Sequence, residues 1–214
     1  MKLMAIIGSP RKGGNTELLI NQVIAGCRSK TAVNLEKVFV VKKKIEYCTG
    51  CMSCVMPSPG TGKCVITDDM TDIMEKMKKS DAFIFGTPNH MRTITAPLLN
   101  FITRMLPLLE FRAEYDSMGN RIGGEITSKL GGKKAAMVIS QGEPYFCSPL
   151  VYETLISNLH DFRLHLAGNV LSLGNTEKGQ VADKKQDLKN AFDLGVQLAV
   201  MVASQNKNKA DKQR

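Results

Sequence analysis

The sequence has no tryptophan, and aromatic residues make up only 6% of it. Proteins that hold single-stranded nucleic acid stack its bases on aromatic side chains set along a basic groove. No basic stripe here is interleaved with aromatics, so nucleic acid is not an expected partner. There is also no apolar run near the ~20 residues that a membrane-spanning helix needs. The opening MKLMAIIGSP carries one Lys and an apolar run shorter than that of a secretory signal, and reads as a strand. Neither a membrane partner nor export is expected, and the expected location is cytoplasmic. In that compartment the six cysteines are expected to bind metal, do redox chemistry or lie buried, rather than form a disulfide framework. Two common phosphate-binding patterns are missing as well. Gly13–Gly14 is followed by Asn15–Thr16, where a Walker A loop needs Lys and Ser or Thr after its final Gly, and G-x-G-x-x-G does not occur at this loop.

What is present is ordinary in bulk and distinctive in places. The 214 residues are 43% hydrophobic, enough for one α/β domain with its own core. The expected domain covers 1–204, with a Cys-rich loop at about 45–66 and a basic, disordered tail at 205–214. The net charge is +9, partly in that tail and partly in Lys42–Lys44. It serves solubility on the plainer reading, and attraction to an anionic cofactor or an acidic electron carrier on the sharper one.

Apolar runs at 2–8, 33–41, 81–86, 134–139 and 166–173 predict five strands. Helical spacing predicts helices over 16–29, 69–79, 94–106, 148–163 and 183–204, with Asp68 or Asp69 capping the second. Strand and helix alternate without an internal repeat, which argues for a doubly wound parallel sheet with helices on both faces. Ligands of such sheets bind outside the carboxyl ends of the strands. The loops after strands 1, 3 and 4, and the cysteine loop after strand 2, are therefore where chemistry is expected, all on one rim. The Gly-rich segment 111–132 is long for a connection and reads as a lid, a subunit contact or a surface excursion.

The first loop, GSPRKGGNT (8–16), joins a strand to a helix. A helix start offers free N–H groups and a positive dipole end, which suits a phosphate. Ser9, Asn15 and Thr16 add side-chain donors, Arg11 a planar charged fork, and Gly13 close backbone approach. The plainer reading is a helix cap. The loop after strand 3 is TPNHM, with Asn89 and His90 side by side.

CTGCMSC (48–54) places three cysteines two residues apart, and Cys64 follows after nine more residues. Cys48, Cys51, Cys54 and Cys64 fit a [4Fe–4S] cube, for which C-x2-C-x2-C is a wrapping spacing. A zinc site, a redox C-x-x-C and inert thiols stay open beside it. Cys27 reads as a buried apolar residue. Cys147 stands near the loop after strand 4.

These motifs carry a resemblance. G-S-P-R-x-x-x-N-T after a first apolar strand, G-T-P-N-H-M (86–91) and P-L-L-N-F-I-T-R (97–104) resemble the flavodoxin-like NAD(P)H-dependent FMN reductases, over most of residues 1–110. The cysteine loop, followed by C-V-I-T-D-D-M (64–70), resembles the iron–sulfur flavoprotein branch, whose motif is C-x2-C-x2-C-x(4–7)-C; the longer VMPSPGTGK spacer departs from it. The resemblance implies a five-stranded parallel sheet in order 2-1-3-4-5 and an oxidoreductase that binds FMN. It implies that Ser9, Arg11, Gly13, Asn15 and Thr16 hold the phosphate. Pro88, Asn89, His90 and Met91 would line the isoalloxazine ring, with Ser140, Gln141 and Gly142 as a third wall. Flavin chemistry is largely the cofactor's own, so no catalytic side chain is expected beyond His90 as a candidate. It further implies electron transfer between a ferredoxin-like carrier and FMN, and a dimer or tetramer. Two other readings stand beside it: an NAD(P)H-dependent FMN or quinone reductase without a cluster, and a zinc-stabilised or cofactor-free interaction module.

Overall fold

The computed structural model describes residues 1–56, 60–145 and 149–211, and side chains as far as residue 207. Cys147 and part of the VMPSPGTGK spacer lie outside the described residues. Five strands form one parallel sheet: β1 (Lys2–Ile7), β2 (Asn34–Phe39), β3 (Ala82–Pro88), β6 (Lys134–Ser140) and β7 (His165–Ser172), in spatial order β2-β1-β3-β6-β7. This is the expected 2-1-3-4-5 order, with two further strands inserted between the third and the fourth. Central strands are apolar on both faces because both are covered. Met4 and Ile6 of β1 enter one core with Phe83 and Phe85, under α2 (Asp69–Lys79), α3 (Ala96–Thr103) and α4 (Pro149–Asp161). Leu3, Ala5 and Ile7 enter the other, under α1 (Asn15–Arg28) and α5 (Lys185–Asp211). Helices α1 and α5 touch at glycine: a Cβ at Gly26 would stand 2.0 Å from the Phe192 carbonyl oxygen, and one at Gly195 1.9 Å from that of Val23. Burial pushes the Cys27 thiol up to about 11, and Cys27 Sγ donates to the Gly195 carbonyl at 3.2 Å.

Three departures from expectation have local causes. Helix α5 runs to Asp211, not to about 204, because Gln205–Asp211 contains neither Gly nor Pro and its lysines suit a helix C-terminus. Helix α3 is shorter than 94–106: Pro97 fixes its first turn, and the chain leaves it at Arg104. The segment read as a long loop is an antiparallel hairpin of β4 (Leu109–Tyr115) and β5 (Arg121–Ser128). Its turn is organised by Asp116, whose carboxylate accepts from the N–H groups of Met118 and Asn120.

Candidate functional site

At the carboxyl ends of β1, β3, β6 and β7 lies a cleft of about 330 Å³. Ser9, Arg11, Asn15, Thr16, Pro88, Asn89, His90, Ser140, Gln141 and Gly142 all line it. Of the twelve residues expected at the cofactor site, Gly13 and Met91 are not in its wall. The Gly13 N–H instead donates to the Glu17 carboxylate at 2.7 Å. Met91 is 90% exposed at the tip of a tight turn. That turn is closed by two hydrogen bonds between His90 and Thr93, and Met91 and Arg92 are both left-handed at φ 52° and 66°. Two consecutive left-handed residues are what a type I′ turn requires, and neither is the glycine that adopts it without strain.

The walls are tied together by side chains. Thr16 Oγ1 and Ser140 Oγ are 2.7 Å apart, joining the start of α1 to the end of β6. Thr95 Oγ1 donates to the Gly8 carbonyl at 2.8 Å, joining the start of α3 to the loop after β1. Asn89 Nδ2 donates to Gln141 Oε1 at 2.6 Å. The Asn15 side chain is turned toward the loop after β7: its Nδ2 donates to the carbonyls of Asn175 and Glu177, and its Oδ1 accepts from the Val181 N–H. Asn15 therefore fixes that loop, and both of its side-chain hydrogens are committed.

The loop after β7 (173–179) supplies a wall that the motifs did not identify, through Asn175, Thr176 and the exposed cation Lys178. The signal was present: the loop follows the last strand at the carboxyl rim, where ligands of such sheets bind.

The cleft suits a flavin nucleotide on its own chemistry. Asn89 Oδ1 and Asn175 Oδ1 are buried at its wall and have no hydrogen-bond partner among the described residues. An unpaired buried acceptor costs free energy. A ligand with N–H and O–H donors, as an isoalloxazine ring and ribityl chain provide, would satisfy both. Arg11 and Lys178, at one wall, suit a phosphate.

The second concavity is lined by Cys48, Cys51, Cys54 and Cys64, with Met52, Val65, Leu106 and Pro107 as apolar walls and Arg104 among them. Left-handed backbone at Gly50, Met52 and Gly62 bends the loop around it. Among the described residues no three Cys, His, Asp or Glu side chains converge tightly enough to hold a single metal ion. The thiols share a wall without meeting at a point. Burial raises the Cys54 thiol above its ordinary pKa, and the other three cysteines raise it further. The Ser53 N–H, with the Ser53 and Thr49 hydroxyls, holds Cys51 below its ordinary value. Four cysteine sulfurs around one cavity, two of them exposed, are a donor set that fits an iron–sulfur cube once deprotonated.

Behind the cavity is a buried ion pair. Arg104 and Asp68 side chains are 1% and 2% exposed, and the pair is two-pronged: Nη1 to Oδ2 at 2.6 Å and Nη2 to Oδ1 at 3.1 Å. Arg104 Nη1 also donates to the Glu46 carbonyl at 2.5 Å, while Asp68 accepts from the N–H groups of Glu46 and Met70. Burial alone would raise the Asp68 carboxyl, but hydrogen bonds from Arg104, Glu46 and Met70 outweigh it and hold it below the usual carboxylate range. One carboxylate thus caps α2, as the sequence predicted, and anchors the entry to the cysteine loop.

The cysteine loop was expected on the same rim as the cleft. Thr95, which precedes α3, lines the cleft, whereas Thr103 and Arg104, at its other end, line the cysteine cavity. The two sites are therefore separated by about 12 Å of helix, eight residues at 1.5 Å each. No hairpin residue lines the cleft; Leu109, Glu110, Arg112, Ala113 and Lys129 instead face Cys54 and 60–62 across a separate gap.

Among the described residues no helix is long and apolar enough to cross a membrane. The family model described as NADPH-dependent FMN reductase matches residues 1–142. An iron–sulfur flavoprotein of Archaeoglobus fulgidus is 38% identical over 131 residues, which is 61% of this chain but only 56% of that protein's length. The iron–sulfur flavoprotein MJ1083 of Methanocaldococcus jannaschii is 31% identical over 164 residues, covering 77% of this chain and 72% of the relative. Among solved structures, an azoreductase from Bacillus anthracis superposes with a TM-score of 0.65 at 16% identity, over 93% of this chain and 98% of that one. The cleft at the strand ends, the cysteine cavity and these likenesses agree: the chain belongs to the NADPH-dependent FMN reductase family, in its iron–sulfur flavoprotein branch, and is an FMN-binding, flavin-dependent oxidoreductase.

Proposed function

We propose that the protein holds FMN in the cleft and a [4Fe–4S] cluster in the cysteine cavity, and moves electrons between a ferredoxin-like carrier and the flavin. The observation that carries this reading is the gathering of Cys48, Cys51, Cys54 and Cys64 around one cavity despite the nine-residue spacer. The names of the archaeal relatives support it. Ser9, Arg11, Thr16, Asn89, Ser140, Gln141 and Gly142 would hold the flavin nucleotide, and the four cysteines the cluster. Bound flavin supplies one- and two-electron chemistry; the chain's own contribution is position and electrostatics. A net charge of +9 favours encounter with an acidic carrier. The test is anaerobic purification with iron, sulfide and flavin analysis. Four irons with one FMN per chain is the expected result, and flavin without iron defeats the cluster half.

A second reading is favoured by the family description: an NAD(P)H-dependent FMN or quinone reductase whose cysteines hold no cluster. Rapid NADPH oxidation with quinone by iron-free protein supports it, and turnover confined to reduced ferredoxin opposes it. On either reading we propose a cytoplasmic homo-oligomer. The hairpin leaves Tyr115, Met118 and Ile122 exposed, and two isolated strands are only marginally stable by themselves. A monomeric mass by light scattering overturns that part.

A further inference from the structure

Arg104 has five N–H donors. Its terminal nitrogens serve Asp68 and the Glu46 carbonyl. Nε is left over: it is buried, and it has no hydrogen-bond partner among the described residues. Anchoring Asp68 requires a cation but not this nitrogen, so a purely structural role leaves Nε unexplained. Arg104 also lines the cysteine cavity, together with Cys64, the cysteine that follows the long spacer. The two-pronged pair with Asp68 fixes the guanidinium plane, so Nε is held where it stands.

We propose that Arg104 is a positioning residue for the four-cysteine centre, its buried Nε–H being the donor offered to the sulfur of Cys64. The inference rests on the cluster reading above and goes one step beyond it. A hydrogen bond to a ligating sulfur stabilises the more negative, reduced form of a cluster and so raises its potential. It also gives Cys64, the ligand beyond the long spacer, a fixed partner from a different element. The loop after Cys54 then need not hold Cys64 in place alone.

The test compares the full chain and Arg104→Lys, both purified anaerobically, by EPR-monitored redox titration. Lysine keeps a positive charge for Asp68 but lacks Nε–H and the fork. The expected result is a variant with full iron and flavin whose cluster is about tenfold harder to reduce, a fall of about 59 mV for one electron. Its flavin potential should be unchanged. Equal cluster potentials overturn the proposal while leaving the cluster reading intact. Wild-type protein with FMN but no iron defeats both, and so separates the two failures. If Arg104→Lys does not fold, 15N-arginine labelling of the wild type decides. A 15N coupling in the ENDOR spectrum of the reduced cluster supports the proposal, and its absence overturns it.

Discussion

The cleft and the cysteine cavity are built on opposite plans. The cleft is polar, and its walls come from the ends of four strands separated by most of the chain. Its side chains are bonded to each other across those loops, as in Thr16 with Ser140 and Asn89 with Gln141. The cavity draws its thiols from one irregular loop and its remaining walls from the residues around the end of α3. A buried ion pair at its back anchors it, with hydrogen bonds from Asn100 to the Ile45 carbonyl and from Lys129 to the Gly62 carbonyl beside it. A parallel sheet positions the first site through its own geometry. The second site has no regular backbone to rest on, so stability and site formation should be coupled there and independent in the cleft.

That contrast can be broken in four ways. The largest effect belongs to the thiols. Cys51→Ser should lose the cluster entirely while keeping FMN, measured as iron and flavin content after anaerobic purification; loss of both would show that the sites are not independent. Next, Arg104→Met strands the Asp68 carboxylate in the interior and should cost about 3–5 kcal/mol in urea unfolding of the iron-free protein. A cleft variant of matching burial, Thr16→Val, should cost about 1–3 kcal/mol, the penalty of leaving the Ser140 hydroxyl without its partner. Third, Arg11→Gln should weaken FMN binding by roughly ten- to a hundredfold, as expected for a hydrogen bond to a charged group worth about 1.5–3 kcal/mol. Iron content should not change. Equilibrium dialysis with the apoprotein measures it, and unaltered affinity would remove Arg11 from the phosphate site.

The smallest effect is a pH dependence. The Asp68 carboxyl is held below its ordinary value in the folded state. Its contribution is therefore complete above the unfolded value of about 3.9. It is lost as pH falls through the lower folded value. Urea midpoints of the iron-free chain should fall on acidification below pH ~4, and Asp68→Asn should fall less steeply over that range. Equal slopes would mean that other carboxylates control acid stability.

Much of the fold was legible because apolar runs and helical periodicity are local. Helix α2 matches its expected bounds, since Asp68 caps it and Met70, Ile73, Met74 and Met77 form one buried stripe. The hairpin was not legible in the same way. Its strands alternate Leu109, Phe111, Ala113 and Tyr115 with Glu110, Arg112 and Glu114, but Gly119, Gly123 and Gly124 made the region read as a loop. Ten of the twelve expected cofactor residues line the cleft because they belong to compact motifs at strand ends. Asn175, Thr176 and Lys178 escaped notice because their loop carries no motif of its own.

The sequence by itself determined the alternation of strands and helices, the capped start of α2, and the close spacing of Cys48, Cys51 and Cys54. Each of these depends on residues within a turn or two of one another. The tertiary structure alone decided that Cys64 reaches the same cavity, that Arg104 stands forty positions from it in sequence yet against it in space, and that α3 separates the two sites. Those facts depend on which elements pack together. A buried guanidinium finds its carboxylate only after the core has closed around both.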